Sequence, residues 1–152
     1  MIDHNAILSA CIDDYKDYST NTSGVDVEKA IKYSGRNFDL RRRGDIRNEV
    51  VVFKFDNGTS DWEIDADKPI ELNQNFQAMC YVETTDKQST REVSYDRLLE
   101  LCDDLINWSL EVVGNDLDSD IYTITFTSMS DTREEDGFLA CEVNFQSILK
   151  LQ

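Results

Sequence analysis

Residues 138 to about 149 read as one long strand, with apolar and polar side chains alternating from Cys141 to Gln146. Leu139, Cys141, Val143 and Phe145 fall on one side; Glu142, Asn144 and Gln146 fall on the other. A period of two marks a strand with one face in a core and one in solvent. Such a strand cannot bury its apolar face alone and must belong to a sheet covered by another layer. Ile121 to Thr127 repeats the pattern, with Tyr122, Ile124 and Phe126 expected inward and Thr123, Thr125 and Thr127 outward. Phe76 to Thr84 places Phe76, Ala78, Cys80 and Val82 on one face, and Val50 to Phe55 is a strand by its β-branched and aromatic content. Asn57-Gly58 after that run signals a tight hairpin, with a return strand carrying Trp62 and Ile64 inward and Asp61, Glu63 and Asp65 outward.

The covering layer comes from two helical stripes. Ile7, Leu8, Cys11, Ile12, Tyr15 and Tyr18 share one face over residues 4–18, and Ser19 to Gly24 is expected to break that helix. Leu98, Leu101, Cys102, Leu105 and Ser109 do the same over about 94–111, with Ser94 as the expected N-cap. Val25 to Tyr33 fits a strand or a helical turn equally well. Asn115 to Asp120 reads as an acidic loop and Ser130 to Gly137 as a polar connection. Strand runs interrupted by a helix give an α+β fold: a mixed, mostly antiparallel sheet of about five strands packed against two main helices. The helix lies between the third and fourth strands, so those two are expected to be a parallel pair; the other connections imply antiparallel ones. The 152 residues make one domain, 1–152, with a basic arm or loop at about 25–47.

Charge is unevenly distributed. The chain has 15 Lys and Arg against 31 Asp and Glu, a net of −16. Between Lys29 and Arg47, seven basic residues (Lys29, Lys32, Arg36, Arg41, Arg42, Arg43, Arg47) stand against Asp39 and Asp45, a local net of +5 that leaves −21 elsewhere. So acidic a surface repels nucleic acid and favours a cationic partner. The nearest acidic surface for the basic island is another copy of this chain, and repeated head-to-tail contacts close into a ring.

Few residues offer catalysis. The one histidine, His4, is near the start of the chain, and Cys11, Cys80, Cys102 and Cys141 form no C-x-x-C pair. All four cysteines sit among apolar residues and are expected to be reduced, buried core side chains. Asp116-x-Asp118-x-Asp120 begins like a calcium loop, but Ile121 replaces the required glycine and Thr127 the final glutamate. The six glycines are dispersed and form no phosphate-binding motif. The expectation is no enzyme, no cofactor and no metal. No apolar run approaches the roughly 18 residues of a membrane span, and the first residues do not have a signal peptide's pattern.

The order is an N-terminal helix, a strand block, the helix carrying Ser94-Tyr95-Asp96-Arg97-Leu98-Leu99-Glu100-Leu101, an acidic turn and two closing strands, the last opened by Asp136-Gly137-Phe138. It resembles the tail-terminator, or tail-completion, family of tailed bacteriophages. The resemblance implies a small α+β subunit forming a homohexameric ring that caps the tail tube and joins it to the head-side connector. It further implies a virion tail or neck location after assembly in the host cytoplasm. The partners would be other copies, the tail-tube protein and the neck protein, with DNA passing through unbound and no membrane involved. Arg36, Arg41, Arg42, Arg43 and Arg47, with Glu134, Glu135 and Asp136, are the candidate subunit or partner interface. The competing reading is an acidic inhibitor, a DNA mimic or immunity-type protein that binds a basic enzyme.

Overall fold

In the computed structural model, residues 3–33, 49–56, 61–63, 71–85, 87–112 and 121–150 are described. The chain is α+β. Helix α1 (His4–Asp17) is followed by a π-helical turn, strands β1 (Ala30–Lys32), β2 (Glu49–Phe55), β3 (Asp61–Glu63) and β4 (Glu71–Glu83), and helix α2 (Gln88–Glu111). Strands β5 (Ile121–Met129), β6 (Arg133–Glu135) and β7 (Phe138–Lys150) complete it. One sheet holds all seven described strands, with five on the path β1-β2-β4-β7-β5 and short β3 and β6 attached to β4 and β7.

The β4–β7 ladder is the axis of the sheet. It runs without interruption from Glu71↔Lys150 to Glu83↔Phe138. Its alternation sorts the side chains as the sequence implies. Phe76, Ala78, Cys80 and Val82 join Leu139, Cys141, Val143 and Phe145 in the main core, beneath both helices. Tyr15 from α1 and Trp108 from α2 meet there edge-on at 5.7 Å, and Phe76 stacks on Phe145 at 5.0 Å. The intervening residues form a second, smaller cluster on the opposite face: Val50, Val52, Met79, Tyr81, Phe138 and Ala140, with Ile31 and Tyr33 packed against them.

Several expectations need correction. Beyond Asp17, the chain does not break but widens into the π-helical turn Tyr18–Ser23, which Gly24 ends at φ +75°. Ser19 explains this: it is fully buried, its Oγ accepts from the Val27 amide at 2.9 Å, and its carbonyl takes the Asp26 amide. Helix α2 starts at Gln88, not Ser94. Ser94 lies inside it, its hydroxyl donating to the Glu83 carbonyl at 2.7 Å and pinning α2 to the end of β4. The ambiguous stretch supplies β1, which pairs with β2 in parallel, not antiparallel.

Nor does β3 return along β2. Both strands pair antiparallel with β4 on the same side, one beyond the other. Asn57-Gly58, Ile64 and Asp65 lie outside the described residues. The third and fourth strands expected from sequence, β4 and β5, are not neighbours: β7 lies between them, antiparallel to both, so β4-α2-β5 is a split β-α-β unit. Ser130 to Gly137 is more than a connection. It contains β6, joined to β7 by Asp136-Gly137 with φ of +49° and +81°. Positive φ at both central residues is the two-residue hairpin geometry that Asp-Gly favours. In β5, register shifts at Ile121/Thr123 and Phe126/Ser128 disturb the alternation, so Ile121 is fully buried along with Ile124, and Phe126 is half-buried.

Candidate interaction surface

The β6–β7 hairpin carries the acidic half of the candidate interface, and the pleat divides it. Arg133 and Glu135 point to one face and Glu134 to the other. On the helix side Glu134 accepts a hydrogen bond from Arg91 of α2 at 2.7 Å, which holds its carboxyl below the ordinary range. On the other side Arg133 bridges Glu135 at 3.3 Å and Glu142 at 3.2 Å. Burial alone would lower the Arg133 pKa, but Glu142 and Glu135 hold it above its usual value. Arg133 is opposite Ala140, and Ala140 opposite Tyr81, so this ion cluster rims the second apolar face. Burial, with Glu135 nearby, pushes the Tyr81 phenol up to about 12. Glu134, Glu135 and Asp136 are thus neighbours in sequence with three separate tasks: a helix tether, a strand-face ion pair and a turn.

Arg36, Arg41, Arg42, Arg43 and Arg47 lie outside the described residues. Of the basic island, Lys29 and Lys32 are described. Lys32, at the exposed end of β1, donates to Asn5 of α1 at 3.0 Å. The sequence did not single out Arg97, although it contacts Glu49, Glu100 and the Val25 and Asp26 carbonyls at once. Its guanidinium donates to Glu49 at the start of β2 (2.9–3.2 Å) and to the Val25 carbonyl (2.9 Å), and pairs with Glu100 at 3.3 Å. An arginine at an ordinary helix position gives no signal of this in one dimension.

His4 is exposed, and its Nε2 lies 2.9 Å from Gln74 Oε1. Among the described residues no three His, Cys, Asp or Glu side chains converge as metal ligands. Asp116, Asp118 and Asp120 lie outside them. All four cysteines are buried and free. Cys80 and Cys141 face each other across β4 and β7, with Cys102 of α2 in contact with both. The Cys102 contact and burial push the Cys141 thiol up. At Cys102 the Cys141 thiol alone acts downward, but the Cys80 thiol and burial outweigh it. Cys102 and Cys141 are thus held as thiols, away from the thiolate form that reacts. A shallow notch between the helices is lined by Asp14, Asp17, Tyr18, Trp108 and Glu111. Two of its carboxylates are engaged locally: Asp14 accepts from Trp108 Nε1 at 2.8 Å and Asp17 from Asn21 at 2.7 Å. Deeper in, Asp104 accepts from the Tyr15 hydroxyl at 3.0 Å.

A further surface among the described residues is the edge of the sheet. No described strand lies beyond β5, where Thr123, Thr125, Thr127, Ser128 and Met129 are exposed.

No protein-family model and no curated protein matches the chain. Among solved structures, one similar chain, whose name describes no function, has a TM-score of 0.52 at 11% identity, covering 100% of this chain and 99% of its own. At that identity the likeness is one of fold.

Proposed function

We propose that this chain is a structural subunit of the tail-terminator kind. Its copies form a ring, six by the family pattern, that caps a bacteriophage tail tube and meets the head-side connector at the neck. The observation that carries the reading is the element order. An N-terminal helix, a strand block, α2, and closing strands with Asp136-Gly137-Phe138 at the opening of β7 make one sheet with both helices packed against a single face. That is the order on which the resemblance rests.

In this reading the basic island touches an acidic surface of the next copy or of a tail or neck protein. Exposed ion pairs contribute only about 0–1 kcal/mol each, so burial of apolar surface supplies most of the association and the charges set register and partner choice. Changing Arg41, Arg42 and Arg43 together to Ser is expected to leave the subunit folded by circular dichroism. It should weaken ring formation by light scattering and alter tail length in electron micrographs of a complementation assay. Normal rings and tails from the triple variant would remove the island from the mechanism. A wild-type protein that stays monomeric and joins no tails, yet binds a basic enzyme tightly, would replace the reading with the inhibitor.

A further inference from the structure

An unpaired strand edge offers a row of backbone N–H and C=O groups to any other strand, and proteins guard such edges with charge, proline or bulges. The two edges of this sheet differ. At β1 three described residues pair, ending in the exposed Lys32, so that edge is short and carries a charge. At β5 nine residues run along the edge with exposed Thr123, Thr125, Thr127, Ser128 and Met129. From Ile121 to Ser130 there is no charged residue and no proline, in a chain where 30% of residues are charged. The charges return at once in β6, Arg133-Glu134-Glu135, on the same side of β7. Charge and proline are absent where the described edge is long, leaving two register shifts as its one guard, and charge is present where the edge is short.

From this contrast we infer that β5 is a self-pairing edge, which binds the β5 strand of a second copy antiparallel to itself and continues the sheet across a two-fold axis. The sequence is self-complementary about its centre. With Thr125 on the axis, Thr125 faces Thr125, Thr123 comes opposite Thr127, and Ile124 comes opposite Phe126. Outward threonines pair with threonines, and the half-buried Phe126 gains apolar cover. Two copies of net charge −16 repel each other over most of their surface, and here they approach with no like charges opposed. A second β5 is also the partner edge that matches in length, since β1 offers three residues. The register shifts at Ile121/Thr123 and Phe126/Ser128 confine regular pairing to the middle of the strand. The pair is therefore a reversible one. This two-fold contact differs from the head-to-tail contact a ring requires, and it stands or falls separately.

The test is sedimentation of the full chain across a concentration series, with hydrogen exchange of the β5 amides. Thr125→Lys and, separately, Thr123→Lys put a charge on exposed side chains that carry no core. Wild type is expected to form dimers, or larger even-numbered particles, with amides 123–127 protected as concentration rises. Each variant should keep the wild-type circular dichroism and raise the dissociation constant at least about tenfold. Concentration-independent exchange at 123–127, or a monomer at every concentration, overturns the proposal. So does an unchanged dissociation constant in both variants. A six-membered particle that neither variant disturbs would leave the ring standing and remove this contact. A dimer abolished by either variant, with no ring, would do the reverse.

Discussion

Arg97 reaches from α2 to the start of β2 and to the chain that leads into β1. Its Nε and Nη2 hold Glu49, which is 8% exposed, and Nη2 also caps the Val25 carbonyl. Removing the guanidinium strands a carboxylate in the interior and a carbonyl beside it. Arg97→Ala is therefore expected to cost about 2–4 kcal/mol, read from the urea midpoint at constant slope. Arg97→Lys should recover less than half, because an ammonium cannot match the fork across one carboxylate and a carbonyl. A loss of only about 0.5 kcal/mol would mean that water replaces the clamp as it does at exposed pairs. The same residue shows what a sequence withholds. Apolar stripes predicted Ile7, Leu8, Cys11, Tyr15, Leu98, Leu101 and Leu105 as core because burial follows periodicity. A polar side chain's partner, Glu49 here or Arg91 for Glu134, depends on which strand ends meet which helix.

Elements were legible where a long period spoke and hidden where a short strand or a local substitution for a turn decided the outcome. The axis strands β4 and β7 were read correctly by face, although β4 extends back to Glu71 through Asn73, Gln74 and Asn75, whose polar side chains masked the pattern. Strand β6 was missed because Arg-Glu-Glu has no strand propensity; the β7 ladder and the Asp136-Gly137 turn impose its conformation. The π-helical turn was missed because Ser19 to Ser23 reads as a loop until the buried Ser19 hydroxyl is seen to serve the Val27 amide. At the candidate interface, the acidic cluster was found by composition, but its separation into two faces follows from the pleat of a strand that was not foreseen. Three elements also meet in one chemical feature, Cys80 of β4, Cys102 of α2 and Cys141 of β7. With those thiols and Cys11 buried, the native protein is expected to react with a thiol reagent more slowly than its denatured form by about a hundredfold or more. Full reaction of two or more thiols within minutes under native conditions would show that α2 lifts from the sheet.

At the scale of the whole molecule, alkaline pH is the lever the core responds to. Burial, with Asp104 beside it, pushes the Tyr15 phenol far up, and Tyr81 is raised from 10.0 to about 12. Both groups hold their protons more tightly folded than unfolded. Their contribution to stability is therefore full below about pH 10 and is lost as pH rises toward and through the folded values. Phenolate absorbance should show these two tyrosines ionising late, together with the loss of near-ultraviolet circular dichroism. Ionisation of all tyrosines near pH 10 with the fold intact would contradict the burial of Tyr15 and Tyr81.

The position of β7 also bears on how the molecule comes into being. It lies between β4 and β5, touching β6 as well, yet it is synthesised after every other strand of the sheet. Its partners on β4 precede it by between 55 residues, at Glu83↔Phe138, and 79, at Glu71↔Lys150. Until it emerges, β4 and β5 have no common neighbour, and the aromatic cluster around Phe145 has no centre. A growing chain can form α1 and α2 early, because their contacts are local, but the sheet must wait for a strand that inserts between two already made. Closing so distant a pairing is slow for entropic reasons. A ribosome carrying the chain up to Asp136 therefore holds the β1-β2-β4 part of the sheet with its β4 edge open and β5 and β6 without their ladder partner, and the final strand joins all three.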